Sequence, residues 1–175
     1  MKRVTGVVAV FAVGLVAVGF AVAGANGRWS VHASGAEEVP VRESQGQGQG
    51  IFKLSEDGRS IHYKLIASNI ENLFMAHIHQ GPPGVNGPIV VWLYPGTAIG
   101  VTAPLGSGRT DGVLVEGTFT AANLTGPLAG QSLGALIAAM EGGNAYLNFH
   151  TNDGVAPTNT GPGDFPGGEI RADIE

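Results

Sequence analysis

Apolar and polar residues alternate in short stretches along most of the chain, and clusters of glycine and proline separate one stretch from the next. In "IHYKL", Ile61, Tyr63 and Leu65 fall on one side of an extended chain, with His62 and Lys64 on the other. "AHIH" gives Ala76 and Ile78 opposite His77 and His79, and "AYLNFHT" sets Leu147 and Phe149 against Tyr146, Asn148 and His150. This period of two predicts strands near residues 28–34, 49–54, 60–67, 73–79, 88–94, 112–119, 144–150 and 168–174. "SEDGRS" at 55–60 supplies an Asp-Gly turn between two of them. "SLGALIAAMEGG" departs from the pattern: Leu133, Leu136, Ile137 and Met140 recur at helical spacing, with Ser132 placed to cap the start and Gly142 the end. The sum is an all-β sandwich or barrel with one short helix in a connection.

The connection between strands 60–67 and 73–79 is short and polar, which predicts a hairpin whose paired residue numbers sum to about 140. That register brings His62 close to His79. His150 joins them if its strand lies beside 73–79. The longest irregular stretch is "TNDGVAPTNTGPGDFPG" at 151–167, and loops of that length are uncommon unless functional or mobile.

The N-terminus changes the compartment. Lys2 and Arg3 precede an apolar run from Val4 to Phe20, and Ala21-Val22-Ala23 offers a small-x-small cleavage site, so residues 1–23 read as a secretory signal peptide and 24–175 as one exported domain. If it is not cleaved, the run becomes a membrane anchor, being only slightly shorter than the roughly 20 residues of a spanning helix. The destination is secreted, periplasmic or extracellular. The chain has no cysteine, which excludes a lipid-anchored lipobox, disulfides and thiolate chemistry. Net charge is −5, and losing Lys2 and Arg3 makes the remainder more acidic, so nucleic acid is not an expected partner. A cell-surface or extracellular protein partner stays open.

Four of the five histidines sit on the polar faces of three predicted strands. Neutral imidazoles ligate copper, zinc, nickel and iron, and a His-x-His pair on a strand presents two nitrogens on one side. His77, His79 and His150, with His62 as a further candidate, are therefore the predicted metal ligands. Without cysteine or a placed methionine, the donor set suits copper(II) or zinc. His32 has no predicted partner and reads as solvated. Asp153 and Asp164 lack the dense spacing of a calcium loop. "NLT" at 123–125 fits a glycosylation acceptor. There is no Gly-x-Ser-x-Gly elbow, and Ser107 has no histidine nearby in sequence, so hydrolase chemistry is not indicated.

"HASGAEEVP", "AHIHQGPPGVNGPIVVWL" and "AYLNFHTNDG" followed by "GGEIRADI" occur in the order seen in the CHRD domain family, which this chain resembles from about Val31 to Ile174. The resemblance implies an immunoglobulin-like Greek-key β-fold, distantly similar to superoxide dismutases, and no settled biochemical function. Positions carried over by motif are His77, His79, Gly81, Asn86, Gly87, Pro88, Asn148, His150, Thr151, Gly168, Glu169 and Arg171. In chordin the last motif continues with Cys-Gly; here it continues with Ala172-Asp173. Copper in superoxide dismutases is held partly by a His-x-His pair on a strand, and this sequence resembles that half of the site without the zinc loop or the disulfide cysteines. Glu169 and Arg171 are expected in a buried ion pair or in locking backbone. The leading expectation is an exported module that binds a metal through these histidines. A metal-free adhesion module and a superoxide-dismutase-like redox enzyme are the alternatives.

Overall fold

The computed structural model describes residues 27–175, so the expected signal segment lies outside the described residues. Eight antiparallel strands form one sheet: β1 (Arg28–Ser34), β2 (Gln47–Leu54), β3 (Ser60–Glu71), β4 (Leu73–Gln80), β5 (Ile89–Tyr94), β6 (Arg109–Thr120), β7 (Ala145–Thr151) and β8 (Ile170–Asp173). Their order across the sheet is β5-β4-β7-β8-β1-β2-β3-β6, and the end strands β5 and β6 come alongside each other in a nearly closed barrel. The helix α1 (Leu133–Glu141) lies in the β6–β7 connection and buries the predicted stripe. Ser132 stands at its N-cap position without a side-chain capping bond, while the Gly142 N–H closes the other end on Ala138 O. The expected Asp-Gly turn is present, with Gly58 at φ 68° and the Asp57 carboxylate accepting from the Ser55 hydroxyl and the Arg59 N–H.

Strand parity places the core as the alternation requires: Phe52, Ile61, Leu65, Ala76, Ile78, Leu147 and Phe149 are all fully buried inside the barrel. The "GQGQG" stretch has a packing reason. A Cβ on Gly48 would lie 2.7 Å from the Phe149 ring, and one on Gly50 would lie 2.5 Å from the Leu147 side chain. Two inward positions of β2 are thus left bare so that the large residues of β7 can cross the barrel interior.

The predicted hairpin does not form. β3 pairs with β2 and β6, whereas β4 pairs with β5 and β7. Asn69 and Asn72 adopt φ of 52° and 55°, an asparagine-tolerated left-handed conformation, and turn the chain from one part of the sheet to another. Glu71 therefore faces Arg109 on β6, while Leu73, two residues on, faces Thr151 on β7. A short polar link can make a hairpin or a crossing, and alternation does not distinguish them.

Candidate metal centre

β4, β7 and β8 lie side by side, and their register sets a grid of polar side chains on the outer face of the barrel. His77 faces Asn148, which faces Arg171; His79 faces Tyr146, which faces Asp173; Met75 faces His150. On β5, Leu93 and Val90 are extra residues in the ladder, so β4 and β5 shift register at His77 and again at His79. Such bulges re-aim side chains beside functional sites. The first of them sets Trp92 opposite His77, with ring centroids 4.2 Å apart and an edge contact at 75°.

This polar face is not solvated. His77, His150 and His79 are 0%, 4% and 8% exposed, and every residue of β7 is buried. The polar-face histidines point away from the barrel core as the alternation requires, and they are shielded from water because three connections fold over the face. The segment after β1 brings Glu38 onto Asn148 and Arg42 over the Phe165 ring at 4.4 Å. The β4–β5 loop is held by Arg171, which donates to Pro82 O at 3.2 Å and Val85 O at 3.1 Å. The long β7–β8 loop is held by Glu169, whose carboxylate accepts from Ser44, Thr151 and the Gly163 N–H at 2.6, 2.5 and 2.7 Å. Glu169 and Arg171 each lock a loop as expected, but they are not paired with each other: the ion pair of Arg171 is with Asp173 at 2.8 Å.

The loops fix the imidazole tautomers. A ring nitrogen facing a carbonyl carries its proton, so His79 donates from Nδ1 to Gly87 O at 2.9 Å and His150 from Nδ1 to Pro166 O at 3.0 Å. Each then keeps a lone pair on Nε2. Tyr146 stacks on His79 at 4.9 Å, and its hydroxyl accepts from the Gly87 N–H at 2.9 Å, which steadies the peptide that orients His79. Nδ1 of His77 lies 3.2 Å from Nε2 of His150. The Nε2 atoms of His77 and His79 are buried with no hydrogen-bond partner among the described residues.

One potential ligand atom from each of His77, His79 and His150 lies within 4.8 Å of the others. Metal–nitrogen bonds of about 2.0–2.1 Å put two nitrogens on one ion about 2.9–3.4 Å apart. The 3.2 Å separation of His77 Nδ1 and His150 Nε2 fits that span, and the outer-shell carbonyls and the orphaned Nε2 of His79 are what a histidine metal site needs. His62 does not join them. It sits on β3 opposite Lys53 and Thr118, exposed, with Nδ1 2.8 Å from the Thr118 hydroxyl, because the hairpin that was to carry it to His79 is replaced by the crossing. His32 is exposed, but its Nε2 has a partner in Gln47 Oε1 at 2.6 Å. Asp153 and Asp164 serve their own loop, accepting from the Val155 N–H and from Thr160, and belong to no group of three such ligands among the described residues. Asn123 accepts from the Thr120 N–H in a capping box. Alternation alone does not find Trp92 or Glu38. Trp92 reaches the site by a bulge and Glu38 by a loop.

Burial holds the imidazoles neutral. Desolvation first, and the neighbouring imidazoles second, bring His77 down to about 2; desolvation and His79 bring His150 to about 3. His79 is lowered too, by burial, against its bond to Gly87. Below the ordinary value of 6.5 the unfolded chain takes up protons that the folded chain refuses. Stability of the metal-free protein is therefore complete above pH 6.5 and falls as pH drops toward 3, by up to about 1.4 kcal/mol per pH unit for each histidine. Thermal unfolding between pH 6.5 and 5, where most carboxylates stay ionised, should show a falling Tm that flattens in His77→Gln/His150→Gln. An unchanged slope in that variant would contradict the buried neutral state.

Among the described residues no helix is long and apolar enough to cross a membrane. No curated protein and no solved structure matches the chain. The family model of the CHRD domain matches residues 29–174, a span that begins in β1, ends just after β8 and contains the whole histidine face. This chain belongs to the CHRD domain family.

Proposed function

We propose that this protein is an exported CHRD module that binds one transition-metal ion, copper first and zinc as the alternative, through His77, His79 and His150. The observation that carries the reading is the convergence of three neutral imidazoles whose ligand atoms lie within 4.8 Å, two of them tethered to backbone carbonyls through the opposite ring nitrogen. Nδ1 of His77 and Nε2 of His79 and His150 are the donors this arrangement offers. Three nitrogen ligands suit copper(II) and zinc, and the absence of thiolates argues against softer-ion sites. Bound copper would supply one-electron redox chemistry, and zinc Lewis acidity. The residues themselves orient the ligands and keep them deprotonated at neutral pH. The expected signal segment at 1–23 supports a secreted or periplasmic setting, where metal handling or protection is the role.

A second reading, an adhesion module with structural histidines, is favoured by the His77–His150 contact, which also serves as a hydrogen bond when no metal is present. The experiment that separates them is metal content and titration of untagged protein beside His77→Ala/His79→Ala. About one copper or zinc per chain is expected, lost in the variant. Copper(II) bound at His77 should also quench fluorescence of the adjoining Trp92. Absence of stoichiometric metal after incubation with copper and with zinc would leave the adhesion reading.

A further inference from the structure

The "GAEEVP" stretch supplies a buried charge that the histidines do not account for. Glu38 follows the short 3-10 turn Gly35–Glu37 and is 4% exposed. Its carboxylate accepts from the Asn148 amide and from the Val39 N–H, both neutral donors. Asn148 stands directly opposite His77 on β4 and opposite Arg171 on β8, so Glu38 joins the grid one position from the ligand row. The pairing is built in: a Cβ on Gly168 would lie 2.6 Å from both Glu38 Oε1 and Asn148 Oδ1, so only glycine lets the backbone close over it.

Arg171 and Arg42 both attract the Glu38 carboxylate through space, but neither forms an ion pair with it. Arg171 is matched with Asp173, and Arg42 lies over Phe165 at the half-exposed rim. Glu169 is saturated by three donors. The imidazoles, held neutral, contribute no positive charge. A buried carboxylate whose hydrogen bonds all come from neutral donors remains costly when its nearby cations are unpaired with it, and a further positive charge close by offsets that cost.

We propose that Glu38, through Asn148, is the counter-charge of the histidine site and makes it select a divalent over a monovalent ion. The inference rests on the metal-binding reading above. Burial raises the Glu38 carboxyl above its usual range, which is consistent with an anion waiting for a cation. By Coulomb's law a unit charge about 10 Å from a bound ion, at an effective dielectric of about 20, changes affinity on the order of tenfold per unit of ion charge.

The test measures Cu(II), Zn(II) and Cu(I) affinities, the last under reducing conditions against a competing Cu(I) chelator, for the unaltered protein, Glu38→Gln and Glu38→Asp. Glu38→Gln keeps the shape and the Asn148 bond but removes the charge. It should weaken Cu(I) by about tenfold and Cu(II) and Zn(II) by about the square of that. The copper potential would then rise by about 59 mV, the one-electron equivalent of a tenfold ratio. Glu38→Asp, which retains the charge, should restore most of the discrimination. Equal weakening of all three ions, or none, would overturn the inference and leave Glu38 a structural residue. If the unaltered protein binds none of them, the reading of the site itself fails and this inference with it.

Discussion

Replacing Arg171 with methionine should cost about 3–5 kcal/mol of stability, the range for breaking one side of a buried ion pair. Arg171 is fully buried, and its guanidinium serves four partners: Asp173, Pro82 O, Val85 O and the Tyr146 ring 3.6 Å beneath it. Methionine fills a similar volume but leaves Val85 O without the Arg171 donor, Pro82 O with the Val85 N–H alone, and a half-buried carboxylate without its partner. In a domain of this size 1 kcal/mol corresponds to about 2–4 °C, so a fall in Tm of roughly 10 °C is expected by calorimetry. Arg171→Lys should recover only part of it, since an ammonium cannot bridge Asp173 and two carbonyls in one plane. The second effect is on the metal centre. Loosening the β4–β5 loop frees the Gly87 carbonyl that holds His79, and loss of such an outer-shell partner lowers metal affinity by about 10–100-fold. A variant within about 0.5 kcal/mol of the parent would mean the loop is held by something else.

His150→Ala should lower copper and zinc affinity by more than about 100-fold, beyond the usual loss for an outer-shell partner, while His62→Ala leaves it unchanged. The contrast is sharp because the two residues look alike in sequence: both are polar-face histidines on predicted strands. In the fold, His150 has Nε2 3.2 Å from His77, and His62 binds a threonine on the other part of the barrel. Competition titration with a chelator of known affinity measures both. Equal losses would return His62 to the site and contradict the strand order; no loss in His150→Ala would remove it from the ligand set. Stability should be checked beside affinity, since His150 also ties the long β7–β8 loop through Pro166 O.

Much of this molecule is legible from its pattern of residues. The strand assignments, the helix α1, the inward sets on β3, β4 and β7, and the polar-face positions of His77, His79 and His150 all follow from periodicity, since backbone geometry forces alternate side chains apart wherever one face is dry. The CHRD motifs agree with the family match over residues 29–174. The reading failed at Asn72, where a link short enough for a hairpin carries the chain across the sheet, because left-handed asparagines serve either route equally well. That single choice moved His62 away from the site. Periodicity also leaves open what covers the polar face, since parity reports which side of the sheet a residue takes and nothing of what packs over that side.

Local conformations, the all-β class, the dry face of each strand and the chemical kinds of donor on the opposite face can be read from the residues, because these depend on positions within a few of one another. Tertiary structure decided which strands are neighbours and therefore which histidines meet. It brought Glu38 and Trp92 to the site through a loop and a bulge, and laid the Gly87 and Pro166 carbonyls against imidazole nitrogens. Every residue carries a backbone carbonyl, so no side-chain pattern marks the two that orient these ligands; only the closing of loops over the barrel face selects them.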